Sequence, residues 1–108
     1  MSDYSKSQEY RVRDIFRARG FSAERVPLSG ACAAIGKGDV CVEDGAVLVD
    51  HKSTRGKKMI TIHREHLEKI KEQSGEGLGV LTFSYMRNPT VYAILTLEDL
   101  LTLLRGVV

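Results

Sequence analysis

The sequence predicts an α/β domain in which a mixed β-sheet is flanked by helices, in the order α-β-β-β-α-β-β-α. Three observations predict it. Asp44-Gly45 stands between two apolar runs, the strongest short-range signal of a β-hairpin. Leu78 to Tyr85 is a continuous apolar run, as a strand covered on both faces requires. Segments with helical apolar spacing, 6–19 and 64–73, lie on either side of the hairpin, so helices and strands interleave along the chain.

Residues 6–19 predict the first helix, with Tyr10, Ile15 and Phe16 as a rough apolar stripe, Val12 nearby and Gly20 as its stop. Phe21 to Val26 reads as a short strand ended by Pro27. Residues 28–38 carry three glycines among small residues, a composition that suits either a ligand-touching loop or a plain connector. Asp39–Asp44 and Ala46–Lys52 form the hairpin, and Ser53 to Lys58 is a basic, glycine-containing turn. Met59 to Ile62 reads as extended. Arg64 to Gln73 is the second helix, with Leu67 and Ile70 inward. Ser74-Gly75-Glu76-Gly77 breaks it before the Leu78–Tyr85 strand, and Val91 to Leu95 is the last strand. Thr96, with Asp99 three positions on, caps a final helix of roughly nine residues. Leu97, Leu100, Leu101, Leu103 and Leu104 exceed one apolar stripe, which points to a second subunit covering that helix in a homodimer.

At 108 residues the chain is a single domain. Its 43% apolar and 28% charged content is that of an ordinary globular protein, not of a disordered or membrane chain. The N-terminus lacks the apolar stretch of a signal peptide and no run approaches a membrane span, so a cytosolic location is expected. The two cysteines, Cys32 and Cys41, have neither metal-ligand spacing nor a disulfide pattern, and Cys41 reads as a reduced core residue. A net charge of +2 is too small to demand a nucleic-acid partner, so the distribution of charge matters more. Lys52, Arg55, Lys57 and Lys58 cluster after the hairpin, and Arg11, Arg13, Arg17 and Arg19 line the first helix.

The chemistry-bearing residues lie on the hairpin. Folding at Asp44-Gly45 returns residues near Asp50 alongside residues near Asp39. Strand alternation sends Asp50 and Lys52 to one face and His51 to the other. Two carboxylates and an ammonium then meet at one end of an apolar sheet. Carboxylates hold hard cations such as Mg²⁺, which lower the pKa of bound water and polarise a phosphoryl oxygen. A neighbouring lysine orients the attacking water or stabilises developing negative charge. A solvated strand face gives the same Asp-x-Lys pattern, so the motif alone leaves both readings open. His51, His63 and His66 do not stand at zinc-ligand spacing; His63 and His66 share a helix face without an evident carboxylate or cysteine partner. Lys37, Arg55, Lys57 and Lys58 suit phosphate contacts rather than catalysis.

This order of elements, with an acid in the first helix and an Asp…Asp-x-Lys hairpin, resembles the PD-(D/E)xK nuclease superfamily. Within it the chain is similar to the archaeal-type Holliday junction resolvases and their viral relatives, over nearly its whole length and best over residues 8–54. Gln8-Glu9-Tyr10-Arg11 matches the helix glutamate, Gly20-Phe21 leads to Arg25 as in the family, and Ser29-Gly30 matches its serine-glycine loop. Asp39, Asp50 and Lys52 match the motif acids and lysine. Gly38 replaces the usual proline, and Asp50 stands where close relatives mostly carry glutamate, one methylene longer.

The resemblance implies a restriction-endonuclease-like sheet and a homodimer that cuts four-way DNA junctions by phosphodiester hydrolysis. It implies Glu9, Ser29, Asp39, Asp50 and Lys52 as catalytic residues. Glu9, Asp39 and Asp50 would hold Mg²⁺, for which Mn²⁺ can substitute. Arg25, together with Arg11, Lys37, Arg55, Lys57 and Lys58, would bind DNA. Three other readings stand beside it: a nuclease of this superfamily for another DNA substrate, such as a repair or restriction-type enzyme; a non-catalytic domain that binds branched DNA; and a small structural dimer with incidental acids.

Overall fold

The computed structural model describes residues 3–25, 40–53 and 58–107. Its elements are α1 (Asp3–Ala18), β1 (Ala23–Arg25), β2 (Val40–Val42), β3 (Val47–Ser53), α2 (Arg64–Ser74), β4 (Leu78–Ser84), β5 (Tyr92–Ile94) and α3 (Leu97–Val107). The five strands form one sheet in the spatial order β1-β2-β3-β4-β5. All neighbours are antiparallel except β3 and β4, which are parallel. The expected α/β class and mixed sheet flanked by helices are therefore present. A parallel pair needs a crossover rather than a tight turn, and the segment carrying α2 supplies it.

The hairpin closes where Asp44-Gly45 predicts. Val42 pairs with Val47, and between them lies a tight turn closed by the Ala46 N–H donating to the Glu43 carbonyl at 3.2 Å. Glu43, Asp44 and Gly45 all have positive φ, at 51°, 55° and 106°. Gly45 adopts this backbone freely, and aspartate tolerates it. Glu43 is held there from outside: its N–H donates to the Ser22 carbonyl at 2.9 Å and its carboxylate accepts from the Ser22 hydroxyl at 2.8 Å.

Val12 of α1 is buried against Ala23, Val40, Val42 and Val49, with Phe16 closing the edge. The α1 stripe is thus narrower than the sequence suggests. Tyr10 and Ile15 are exposed, because Val12 and Phe16, four residues apart, already span the sheet face. On the other face lie Leu48 and Leu81, each fully buried and each contributing about 1.5–3 kcal/mol. Ile70 of α2 is buried as expected. Gly79 lets α2 come close: a Cβ there would stand 2.7 Å from the Ile70 carbonyl oxygen. A glycine within a strand run marks such an approach of backbones.

Other boundaries move. The first helix begins at Asp3 rather than residue 6, and β1 is confined to Ala23–Arg25. Met59 to Ile62 joins no strand, since β3 and β4 already pair on that side and leave it no partner. Thr96 caps α3 as predicted, its hydroxyl accepting from the Asp99 N–H at 3.1 Å. Asp99 does not complete a capping box. Its carboxylate instead takes the Lys71 ammonium at 3.0 Å. Cys41 is buried as expected but is disulfide-bonded, which corrects its reading as a reduced thiol. That bond is uncommon in a reducing cytosol. Among the described residues no helix is long and apolar enough to cross a membrane.

Candidate functional site

The two faces of β3 carry different chemistry. Val49 packs toward α1, so His51 does too, while Leu48, Asp50 and Lys52 face α2. Contacts agree with the alternation on both sides. His51 Nδ1 is 2.9 Å from Thr82 Oγ1, and its Nε2 is 3.5 Å from Ser84 Oγ. Ser84 in turn donates to Gln8 Oε1 of α1 at 3.4 Å. On the opposite side Lys52 Nζ lies 3.4 Å from His66 Nε2 of α2.

The α1 side is a closed polar network. His51 is 6% exposed, and burial, aided by the nearby Arg11 guanidinium, lowers its pKa from 6.5 to about 4. It is therefore neutral at pH 7. Its partners Thr82 and Ser84 are buried with it. Beside this network Arg25 Nε donates to Glu9 Oε1 at 2.7 Å, with about a tenth of each side chain exposed. The Glu9 hydrogen bond is the main cause that raises the Arg25 pKa, against an opposing desolvation. The Arg25 guanidinium also lies over the Tyr10 ring at 5.3 Å, and Arg13 covers the same ring at 4.7 Å.

The α2 side is open. Asp50 and Lys52 are half-buried, toward the carboxyl end of the parallel pair β3 and β4. In open α/β sheets that end is where ligands collect. Lys52 pairs in register with Phe83, whose ring stacks on Tyr92 at 5.3 Å and meets Tyr85 edge-on at 5.8 Å. His66, in the first turn of α2, meets the His63 ring edge-on at 5.3 Å. Its Nδ1 is buried without a hydrogen-bond partner.

The sequence-derived candidates divide accordingly. Asp50 and Lys52 share a face and lie at one sheet end. Glu9 and Arg25 lie together, but on the other face, and each is engaged by the other. Among the described residues no group of three His, Cys, Asp or Glu side chains converges as a metal site. Arg11 is half-buried; it donates to the Pro89 carbonyl and to Gln8 Oε1 at 3.3 Å. Arg13 pairs with Asp14 at 2.9 Å and Arg17 with Glu24 at 3.1 Å, so much of the basic helix face is neutralised within the chain. Lys58 is exposed. Asp39, Ser29, Lys37, Arg55 and Lys57 lie outside the described residues. The Lys52–His66 contact and the His51–Thr82–Ser84–Gln8 network were not read from sequence. Each joins residues far apart in the chain. Only the alternation at His51 hinted at a buried role.

A single Mg²⁺ is commonly held by one or two carboxylates, with water and substrate phosphate oxygens completing its shell. Asp50 fits that demand as a hard oxygen donor at an accessible sheet end. A third protein ligand is not required. Comparison of the chain with protein-family models, curated proteins and solved structures found no significant match.

Proposed function

We propose that the protein is a metal-dependent endodeoxyribonuclease of restriction-endonuclease-like fold, acting as a homodimer on four-way DNA junctions. The observation that carries this reading is the placement of Asp50 and Lys52 on one face at the carboxyl end of β3. The hairpin register supports the companion acid: Val40 pairs with Val49, and these are the chain neighbours of Asp39 and Asp50. The mixed sheet flanked by helices supports the reading.

In this reading Asp39 and Asp50 hold Mg²⁺. When bound, the ion supplies an activated water and charge neutralisation at the scissile phosphate. The protein's own part is positioning. Asp50 fixes the ion relative to the sheet. Lys52 donates hydrogen bonds to the attacking water or to the phosphate as negative charge develops. Glu9 takes a different role from the one implied by resemblance: it holds Arg25 against Tyr10 rather than reaching the ion. Lys58 contacts backbone phosphates, so recognition is of DNA shape more than of bases.

Thin packing of α3 supports the dimer. It packs little against any other element, and its five leucines are 40% to 67% exposed. An isologous pairing of such helices would bury them and fix two active sites at a constant separation. A second reading, a domain that binds branched DNA without cutting it, is favoured by the engagement of Glu9 with Arg25 on the other face, which leaves Asp50 as the one proposed metal carboxylate among the described residues on the α2 side. Incubation of the full chain with a labelled four-way junction in Mg²⁺, with linear duplex as control, separates the two. Paired cuts in the junction support the nuclease. Binding without cuts supports the second reading, and equal cutting of duplex removes the junction preference.

A further inference from the structure

The nuclease reading leaves two observations on the α2 side unused: the approach of Lys52 Nζ to His66 Nε2 at 3.4 Å, and the buried, unpartnered His66 Nδ1. Together they fix the chemistry of the ring. A lysine ammonium has only donors, so it approaches a ring nitrogen favourably only if that nitrogen is an acceptor. Nε2 accepts in the neutral imidazole that carries its proton on Nδ1. The orphaned Nδ1 is then a buried N–H without an acceptor. Leaving such a donor unpaired costs about as much as a lost hydrogen bond, and native proteins rarely tolerate it without function.

The backbone holds His66 where it is. Gly79 admits α2 close to β4, and Ile70, one turn along the helix from His66, is buried against the sheet. The His63 ring edge supports His66 from the start of the helix. Lys52 would otherwise be a flexible chain on a half-open face, with many rotamers to lose before it could act.

We propose that His66 is a positioning residue for Lys52. The imidazole accepts one ammonium hydrogen bond, which aims the remaining Lys52 donors across the face shared with Asp50. This inference rests on the nuclease reading for its functional consequence, and on the local geometry alone for the pairing.

The test combines kinetics with a readout that needs no activity. Single-turnover cleavage of a labelled four-way junction in Mg²⁺ is measured for the full chain, His66→Leu, His66→Gln, Lys52→Met and the His66→Leu/Lys52→Met double variant. Ring protonation is read by long-range ¹⁵N NMR of the histidines in the wild type and in Lys52→Met. His66→Leu is expected to cut ~10–100-fold more slowly at unchanged junction affinity, the loss of one hydrogen bond to a charged group. His66→Gln should recover most of the rate, since its amide offers both an acceptor and a donor. His66→Leu should add no further loss to Lys52→Met, because the two act as a unit. The ring should carry its proton on Nδ1 in the wild type and shift toward Nε2 in Lys52→Met. Wild-type cutting by His66→Leu, or losses that multiply in the double variant, overturns the proposal. If the wild type cuts no DNA, the nuclease reading fails. The pairing then stands or falls on whether the tautomer responds to Lys52→Met.

Discussion

The two sides of the sheet use polar groups in opposite ways. On the α1 side, charged and polar side chains are buried and paired: Glu9 with Arg25, His51 with Thr82 and Ser84. On the α2 side, Asp50 and Lys52 remain half-exposed, and His66 keeps a buried nitrogen without a partner. Satisfied buried networks rigidify a fold, while unsatisfied groups at an accessible strand end are where chemistry can occur. The same strand, β3, thus sends His51 into a closed network and leaves its neighbours Asp50 and Lys52, the proposed reactive pair, half-exposed. Substitutions on the two sides should therefore be read by different instruments, melting curves for one and turnover for the other.

The largest effect is expected on the α1 side. Glu9→Ala leaves the Arg25 guanidinium buried without its partner and should destabilise the fold by about 3–5 kcal/mol. Chemical denaturation measures this. A fully stable Glu9→Ala chain that has lost only cutting would return Glu9 to the metal and erase the contrast between the two sides.

Lys52→Ala comes next, and it should leave denaturation curves unchanged. It should lower the single-turnover rate ~10²–10³-fold, the scale of one lost charge-stabilising donor, with little change in affinity. If affinity falls in step with rate, Lys52 is a phosphate contact and not part of the chemistry.

His51 sharpens the comparison through pH. Its native pKa of about 4 lies below the unfolded value of 6.5, so the unfolded chain binds the extra proton first. Stability contributed by this group is intact above pH 6.5 and declines as pH falls from there toward 4, by about 3 kcal/mol in all. Melting curves of the wild type and His51→Asn between pH 7 and 4 report it. Equal acid sensitivity in the two chains would show that the α1-side network is not closed.

A small effect on folding should come from α3. Leu101→Lys or Leu104→Lys should change monomer stability by no more than about 0.5 kcal/mol, since both positions are exposed. Light scattering should nonetheless move from twice the chain mass to its 12.0 kDa. A wild-type chain already at 12.0 kDa at micromolar concentration would dispose of the dimer.

Much of the fold was legible because the signals are local. Asp44-Gly45 set the hairpin register, the Leu78–Tyr85 run marked β4, and Thr96 marked the start of α3. Alternation alone placed His51 away from Asp50 and Lys52. What sequence did not show depends on contacts between distant segments. Glu9 matches a metal-binding glutamate by resemblance, and its ion pair with Arg25, sixteen positions away, is a contact that the sequence does not print. His66 reads as half of an unremarkable histidine pair until α2 is laid over β3. Asp99 fits a capping box by spacing, but Lys71 of another helix competes for its carboxylate and wins. Ile15 fits an apolar stripe, yet the sheet face has room only for Val12 and Phe16.

The claim that the α2 side of β3 is the reactive side is tested most directly by Asp50→Asn, read by Mg²⁺-dependent junction cleavage and by melting on the same preparation. Removing a half-exposed carboxylate should leave the melting temperature within a few degrees of wild type and junction binding equal or tighter, as repulsion with phosphate falls, while cleavage is abolished. Wild-type-like cleavage by Asp50→Asn, or a loss of cleavage that merely follows a loss of folding, would contradict the account.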